Sequence, residues 1–131
     1  MKRLSLFIYF FLITVLQAAA QQSFDKTAVK SVMKRVADWQ IANPNKGAEH
    51  DDLDWTHAAL YMGMLDWAEL TEKEDSDDSY YQWLLRIGQR NHFQIGKWMY
   101  HADFIAVGQP FIDLYLKYGN KKMIAPVMAR A

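Results

Sequence analysis

The stretch DWTHAALYMGMLDWAEL, residues 54–70, decides the fold of this chain. Its apolar residues recur every three or four positions, which is the spacing of one face of an α-helix. Asp54 or Asp52 precedes them, and a carboxylate there can accept a hydrogen bond from the unpaired amides of a helix start. The stretch therefore predicts a helix over residues 55–70. Its expected buried face is Trp55, Ala58, Ala59, Met62, Leu65 and Ala68.

The segments on either side show the same helical spacing, and no segment is typical of a strand. Helices are predicted over residues 25–42, 78–90, 100–115 and 120–131. The first should end before Pro44, which disfavours helix at the preceding residue. The helix over residues 78–90 is expected to start at Ser76 or Asp77, and it follows an acidic turn over residues 71–78. The expected buried faces are Val29, Val32, Met33, Val36, Trp39 and Ile41, and then Tyr80, Trp83, Leu84 and Ile87. Helices joined by short loops predict an all-α fold of antiparallel helix pairs.

The stretch YHADFIAVGQPFIDLY, residues 100–115, is apolar on most sides but carries His101, Asp103 and Gln109 in its first half. Burying such groups costs free energy, so their presence needs an explanation. One explanation is local: Asp103 caps the helix and His101 bonds a neighbouring loop. Pro110 has no amide hydrogen to donate, so a kink or a late helix start is expected there.

The first 20 residues have the pattern of a secretory signal peptide. Lys2 and Arg3 precede an apolar run over residues 6–16, and the small residues Ala18 to Ala20 follow it. The run is shorter than the roughly 20 residues that cross a bilayer. We expect cleavage after Ala20, export to the periplasm or the cell exterior, and no membrane attachment afterwards.

The composition of residues 21–131 excludes several classes of function. Removing Lys2 and Arg3 leaves 13 of the 15 basic residues against 15 acidic ones, a formal charge of −2, so no nucleic-acid partner is expected. All five tryptophans and six of the seven tyrosines remain, which suits a large core or a site that stacks on sugars. The four histidines are scattered and cysteine is absent, so neither a metal site nor a cofactor is predicted.

Three segments together resemble a known family. Residues 54–70, 80–93 and 101–115 are similar, in order and spacing, to the start of the unsaturated glucuronyl and rhamnogalacturonyl hydrolases of glycoside hydrolase families 88 and 105. The most specific part is the Val-Gly-Gln segment with His-Ala-Asp before it. The resemblance implies an (α/α)6 toroid of twelve helices, of which residues 21–131 would form the N-terminal, incomplete part.

The resemblance also implies a reaction. These enzymes hydrate the C4=C5 double bond of a terminal unsaturated uronic acid on an oligosaccharide. Asp103 matches the first of two pocket aspartates. The second, which in the family is usually taken as the principal acid/base, matches no position, so this chain alone is expected to lack the principal acid/base and to be inactive. His101, Trp55, Tyr61 and His57 fall where substrate-binding residues are expected. His57-Ala58 replaces the usual Asn-Gly and Phe104 stands where a second Asp is common, so the resemblance leaves two alternatives open: a substrate other than the family's standard one, or loss of the activity.

Other functions stay open. The chain could be a noncatalytic helical module that binds a saccharide or a protein partner, or the start of a toroidal lyase or epimerase. The apolar faces of the helices over residues 55–70 and 100–115 exceed what four or five helices can cover. We therefore expect them to pack against further toroid helices or to drive self-association.

Overall fold

The computed structural model describes residues 25–44, 50–98 and 100–130, and every regular element among them is helical. The elements are α1 (Lys26–Ala42), α2 (Trp55–Asp75), α3 (Ser79–Arg90), α4 (Ala102–Ile105), α5 (Gly108–Tyr118), a 3-10 turn (Lys121–Met123) and α6 (Ala125–Met128). The all-α prediction is confirmed. Among the described helices, none has the length and apolarity that a membrane crossing requires. The predicted signal peptide lies outside the described residues.

The chain divides into two compact units, residues 1–40 and 41–131. The first contains most of α1, whose start is capped by Asp25: Oδ2 accepts a hydrogen bond from the amide of Ala28 at 3.1 Å. The predicted helix is correct but its expected burial is not. Ala37 is the buried residue of α1, and five apolar side chains of the expected face are exposed. They are Val29, Val32, Met33, Val36 and Trp39.

Helix α2 is the centre of the second unit, because it packs against α3 and α5 and also contacts α4. Its buried residues are His57, Ala58, Tyr61, Met64, Leu65, Trp67, Ala68 and Thr71. The sequence correctly predicted burial of Ala58, Leu65 and Ala68, whereas Trp55 and Ala59 are exposed. The buried face is therefore rotated from the predicted one toward Tyr61 and Trp67.

The expected acidic turn over residues 71–78 is wrong in its first half, because α2 continues to Asp75. Thr71 is buried, and its hydroxyl donates to the carbonyl oxygens of Ala68 and Asp77, each at 3.2 Å. Glu72 pairs with Lys117 of α5. These contacts hold the last turn of α2 against the rest of the second unit. The helix is followed by Ser76, whose backbone has the left-handed conformation.

Helix α3 returns along α2 and forms a helical hairpin with it. Its start is held by Asp77, whose carboxylate accepts from the amide of Ser79 at 3.0 Å. Tyr80, Leu84 and Ile87 are buried as predicted. Two edge-to-face aromatic pairs join the helices, Trp67 with Tyr80 at 5.8 Å and Tyr61 with Trp83 at 5.9 Å between ring centroids.

The single helix expected over residues 100–115 is divided into α4 and α5. Pro110 is the third residue of α5, so the late helix start predicted from its missing amide is confirmed. α5 buries Phe111 and Leu114, while α4 has no buried residue. The Asp103 carboxylate at the start of this segment is therefore exposed and carries no burial cost, whereas Nδ1 of His101 is buried without a hydrogen-bond partner. Gln109 is exposed too, and its amide donates to Asp113 at 3.1 Å.

A close contact between α3 and the following loop closes the core. Phe93 has a positive φ of 53° and is buried against Phe111, with ring centroids 5.4 Å apart. A Cβ atom at Gly88 would lie 2.3 Å from Cε1 of the Phe93 ring. Because the Phe93 ring is buried and also packs against Phe111, it has little room to move away. Gly88 is required at this position by packing.

We predict that Gly88→Ala lowers the free energy of unfolding by about 1–3 kcal/mol, since the added methyl overpacks the core. Gly63→Ala is the matched control on α2, where a Cβ would meet no atom within 4 Å. That substitution should instead raise stability by about 0.5–1 kcal/mol through helix propensity. Thermal unfolding followed by circular dichroism measures both. Equal effects of the two substitutions would contradict the packing at Gly88.

Candidate active site

Two of the predicted site residues meet at the start of α4. His101 occupies the N-cap position, and its side chain makes no capping hydrogen bond. Its Nδ1 atom lies 4.0 Å from Oδ2 of Asp103 and has no hydrogen-bond partner. The two side chains are 44% and 57% exposed, respectively. The imidazole and the carboxylate are thus neighbours at the surface. The Asp103 carboxylate is accessible, whereas Nδ1 of His101 is buried.

Two aromatic rings contact the imidazole of His101. The His101 ring lies 5.1 Å from that of Phe104 and 6.0 Å from that of Trp98, both edge to face. Trp98 and Phe104 stack, with centroids 5.6 Å apart and planes 29° apart. Phe104, which departs from the family's pattern, therefore serves to support Trp98. The sequence did not single out Trp98, because its position depends on the loop that precedes α4.

The other predicted binding residues lie near the start of α2. Trp55 is its first residue, and half of its side chain is exposed. His57 and Tyr61 are buried, with ring centroids 5.9 Å apart. Nδ1 of His57 has no hydrogen-bond partner. Trp55 presents a ring to solvent, whereas the other two belong to the core of the second unit. Their roles in binding substrate stay predictions.

A polar network ties the loop before α2 to the end of α3. The Asp52 carboxylate accepts two hydrogen bonds from Arg90, at 2.6 and 2.7 Å, and one from Asn91 at 2.8 Å. Burial raises the pKa of the Tyr61 hydroxyl, and the nearby Asp52 carboxylate raises it further. Tyr61 therefore stays neutral and can donate. The sequence treated Asp52 as part of a solvated loop or as a cap, and its partners lie 38 and 39 positions away.

Comparison with known proteins assigns the chain to a family. The sequence model of Glycosyl Hydrolase Family 88 matches residues 12–131. The chain belongs to glycosyl hydrolase family 88. No curated protein and no solved structure gives a significant match. The resemblance drawn from the three sequence segments is confirmed, and the all-helical unit agrees with an incomplete part of the toroid that the resemblance implied.

The family 88 chain has an apolar cleft beside the candidate site. It has a volume of about 360 Å³ and is lined by residues of α4, α5 and α6 and of the link between α4 and α5. Gln109 is the polar residue among them. No ionisable side chain lines it, so this cleft offers no group for acid or base chemistry. Among the described residues, no group of histidine, aspartate and glutamate side chains could hold a metal ion.

The start of α2, which carries Trp55, depends on a charged cap. The Asp54 carboxylate accepts from the amide of Thr56 at 3.2 Å and pairs with Nδ1 of His50 at 3.1 Å. The hydrogen bond from the Thr56 amide is the largest cause that lowers the pKa of Asp54 below 3.8, while partial burial opposes it. The ionised form is therefore favoured by folding, as expected for a carboxylate at a helix start.

We predict that this cap stabilises the fold at neutral pH and that its contribution disappears in acid. A carboxylate whose pKa is lowered by folding contributes above its unfolded value and loses that contribution as the pH falls through the folded value. Asp54→Asn keeps a capping oxygen but carries no charge. The difference in thermal midpoint between the native protein and this variant should shrink as the pH falls from about 6 to about 2. A difference that is constant with pH would contradict the cap.

Proposed function

We propose that this protein hydrolyses oligosaccharides that end in an unsaturated uronic acid, by hydration of the C4=C5 double bond. The observation that supports this proposal is the exposed Asp103 carboxylate with His101 beside it at 4.0 Å, in a chain of glycosyl hydrolase family 88. The match supports a glycoside hydrolase, and the segment that carries Asp103 is the part of the sequence most specific to the unsaturated glycuronyl hydrolases.

In the proposed reaction, a carboxyl group of the pocket transfers a proton to C4 of the alkene, and Asp103 is the candidate for that group in this chain. Water adds its oxygen at C5 and returns a proton to the carboxylate, so the double bond is hydrated. The resulting hemiketal opens and releases the rest of the saccharide. Such a group acts first as an acid and then as a base, so it must be able to release and accept a proton during one turnover.

The remaining groups would bind and orient the sugar. The His101 ring, which is 44% exposed, can bond a hydroxyl or the carboxylate of the uronic acid. The half-exposed Trp55 can stack on a sugar ring. No position of this sequence matches the second pocket aspartate of the family. The oligosaccharide is the proposed partner.

A noncatalytic saccharide-binding module is the second candidate. It is favoured by the 57% exposure of the Asp103 side chain and by an aromatic residue, Phe104, where the family commonly has a second carboxylate. Such a module would bind the same sugars through the rings around His101 without converting them. Binding of an unsaturated disaccharide with no loss of its alkene absorbance, in protein from the complete reading frame, would identify the module.

We also propose that the protein is exported to the periplasm or the cell exterior, with residues 1–20 removed. The basic pair, the apolar run and the alanines at its end support this proposal. N-terminal sequencing of the protein recovered from outside the cytoplasm should begin at Gln21. A protein that retains its first residues there would contradict cleavage.

We predict that Asp103→Asn lowers turnover of an unsaturated uronic-acid disaccharide at least about a hundredfold, because proton transfer by a positioned carboxyl contributes that much or more. Turnover is measured as loss of the absorbance of the conjugated alkene, with protein expressed from the complete reading frame. Asp66→Asn, which neutralises an exposed aspartate on α2, is the control and should retain activity. If Asp103→Asn turns over substrate as fast as the control, Asp103 is not the acid.

A further inference from the structure

We propose that Trp98 is a saccharide-binding residue, and that its indole ring forms a platform on which a pyranose ring of the substrate stacks beside His101 and Asp103. The proposal rests on the proposed function for the identity of the sugar and extends it to a residue that the family resemblance did not indicate. The platform consists of Trp98 and the Phe104 ring that supports it.

The stack leaves one side of Trp98 available. Its ring lies 5.6 Å from that of Phe104, with 29° between the planes, so one face of the indole is occupied. Trp98 is nevertheless 57% exposed. The exposed area therefore belongs mainly to the opposite face and the edge. A flat aromatic face of this kind complements the C–H face of a pyranose ring.

The platform is held in place by the backbone. The amide of Gly96 donates to the carbonyl oxygen of Phe104 at 2.7 Å, and the Gly96 carbonyl accepts from the Arg130 guanidinium. A Cβ atom at Gly96 would lie 2.1 Å from Cδ1 of Phe104 and 2.7 Å from its Cα. The absence of a side chain thus lets the loop lie directly on α4. A ring fixed in this way loses little conformational entropy when a ligand binds.

Polar groups at the border of the platform indicate what kind of ligand it takes. The His101 ring meets Trp98 edge to face at 6.0 Å, and Nδ1 of His101 lies 4.0 Å from Asp103. An apolar helix packed on this surface would desolvate the exposed Asp103 carboxylate without bonding it. A sugar offers an apolar face to the indole and hydroxyl groups to the polar side chains. The arrangement therefore favours a saccharide over a packed helix.

The proposal is tested by nuclear magnetic resonance of ¹⁵N-labelled protein from the complete reading frame. Each tryptophan gives one indole N–H signal, and the signals lost in Trp98→Phe and Trp39→Phe assign the two residues. Trp39 is the matched control, because it is 55% exposed on α1. During titration with an unsaturated digalacturonate or an unsaturated glucuronate disaccharide, the Trp98 signal should shift and saturate, whereas the Trp39 signal should not.

Binding constants test the same point. Trp98→Ala should raise Kd for the responding disaccharide about tenfold, which corresponds to about 1.4 kcal/mol. Trp98→Phe should retain most of the affinity, since it keeps a flat ring. Asp103→Asn should leave the Trp98 shift in place, because stacking does not need the proton. A lowered thermal midpoint in Trp98→Ala with unchanged Kd would show a packing role and overturn the proposal.

The outcomes separate the platform from the proposed function. A Trp98 signal that does not move while the disaccharide is turned over overturns the platform and leaves the reaction standing. A Trp98 signal that shifts and saturates with no turnover supports the platform and contradicts the reaction. If neither disaccharide moves the Trp98 signal and neither is turned over, both proposals fail.

Discussion

The second unit depends on the burial of one face of α2 against α3 and α5. Ala68 is completely buried, and Tyr61, Tyr80 and Phe111 are among the largest side chains that lose nearly all contact with water. Full burial of a side chain the size of leucine or phenylalanine stabilises a fold by about 1.5–3 kcal/mol. Because α2 also contacts α4, the same helix that forms the core positions the segment carrying Asp103.

The two ends of the α2–α3 hairpin are secured by different forces. At one end, the Asp52 carboxylate joins the loop before α2 to Arg90 and Asn91. At the other, Thr71 bonds the turn and Lys117 of α5 pairs with Glu72 while lying 4.1 Å from the centre of the Tyr81 ring. Hydrogen bonds between charged groups are stronger than those between neutral ones when partly buried. The first of these contacts thus holds the loop that precedes Trp55.

Much of the helical pattern could be predicted from the sequence, because helix periodicity and caps are local properties. The helix starts at Asp25 and Asp54 and the late start near Pro110 illustrate this. The prediction failed where a contact between distant residues decides the outcome, as in the last turn of α2, which Thr71 and Lys117 hold.

In the candidate site, too, local sequence patterns predicted some residues, whereas contacts between distant residues determine the others. Asp103 and His101 could be found because they lie in a recognisable segment, and the structure places them side by side. The network around Asp52 joins residues 38 and 39 positions apart, and Trp98 is positioned by the contact between Gly96 and Phe104. The role of Tyr61 was assigned by resemblance, but its burial follows from how α2 rotates in the core. Neither periodicity nor spacing contains that information.

The break between α4 and α5 separates a segment that is exposed from one that belongs to the core. α5 contributes Phe111 and Leu114 to the core, so its sequence is constrained by stability, whereas no residue of α4 is buried. Exposed positions generally tolerate substitution with small changes in stability. Substitutions at the exposed positions of α4 are therefore expected to change the surface of this segment with little effect on the free energy of unfolding. The surface of α4 and the stability of the second unit can thus be altered independently of each other.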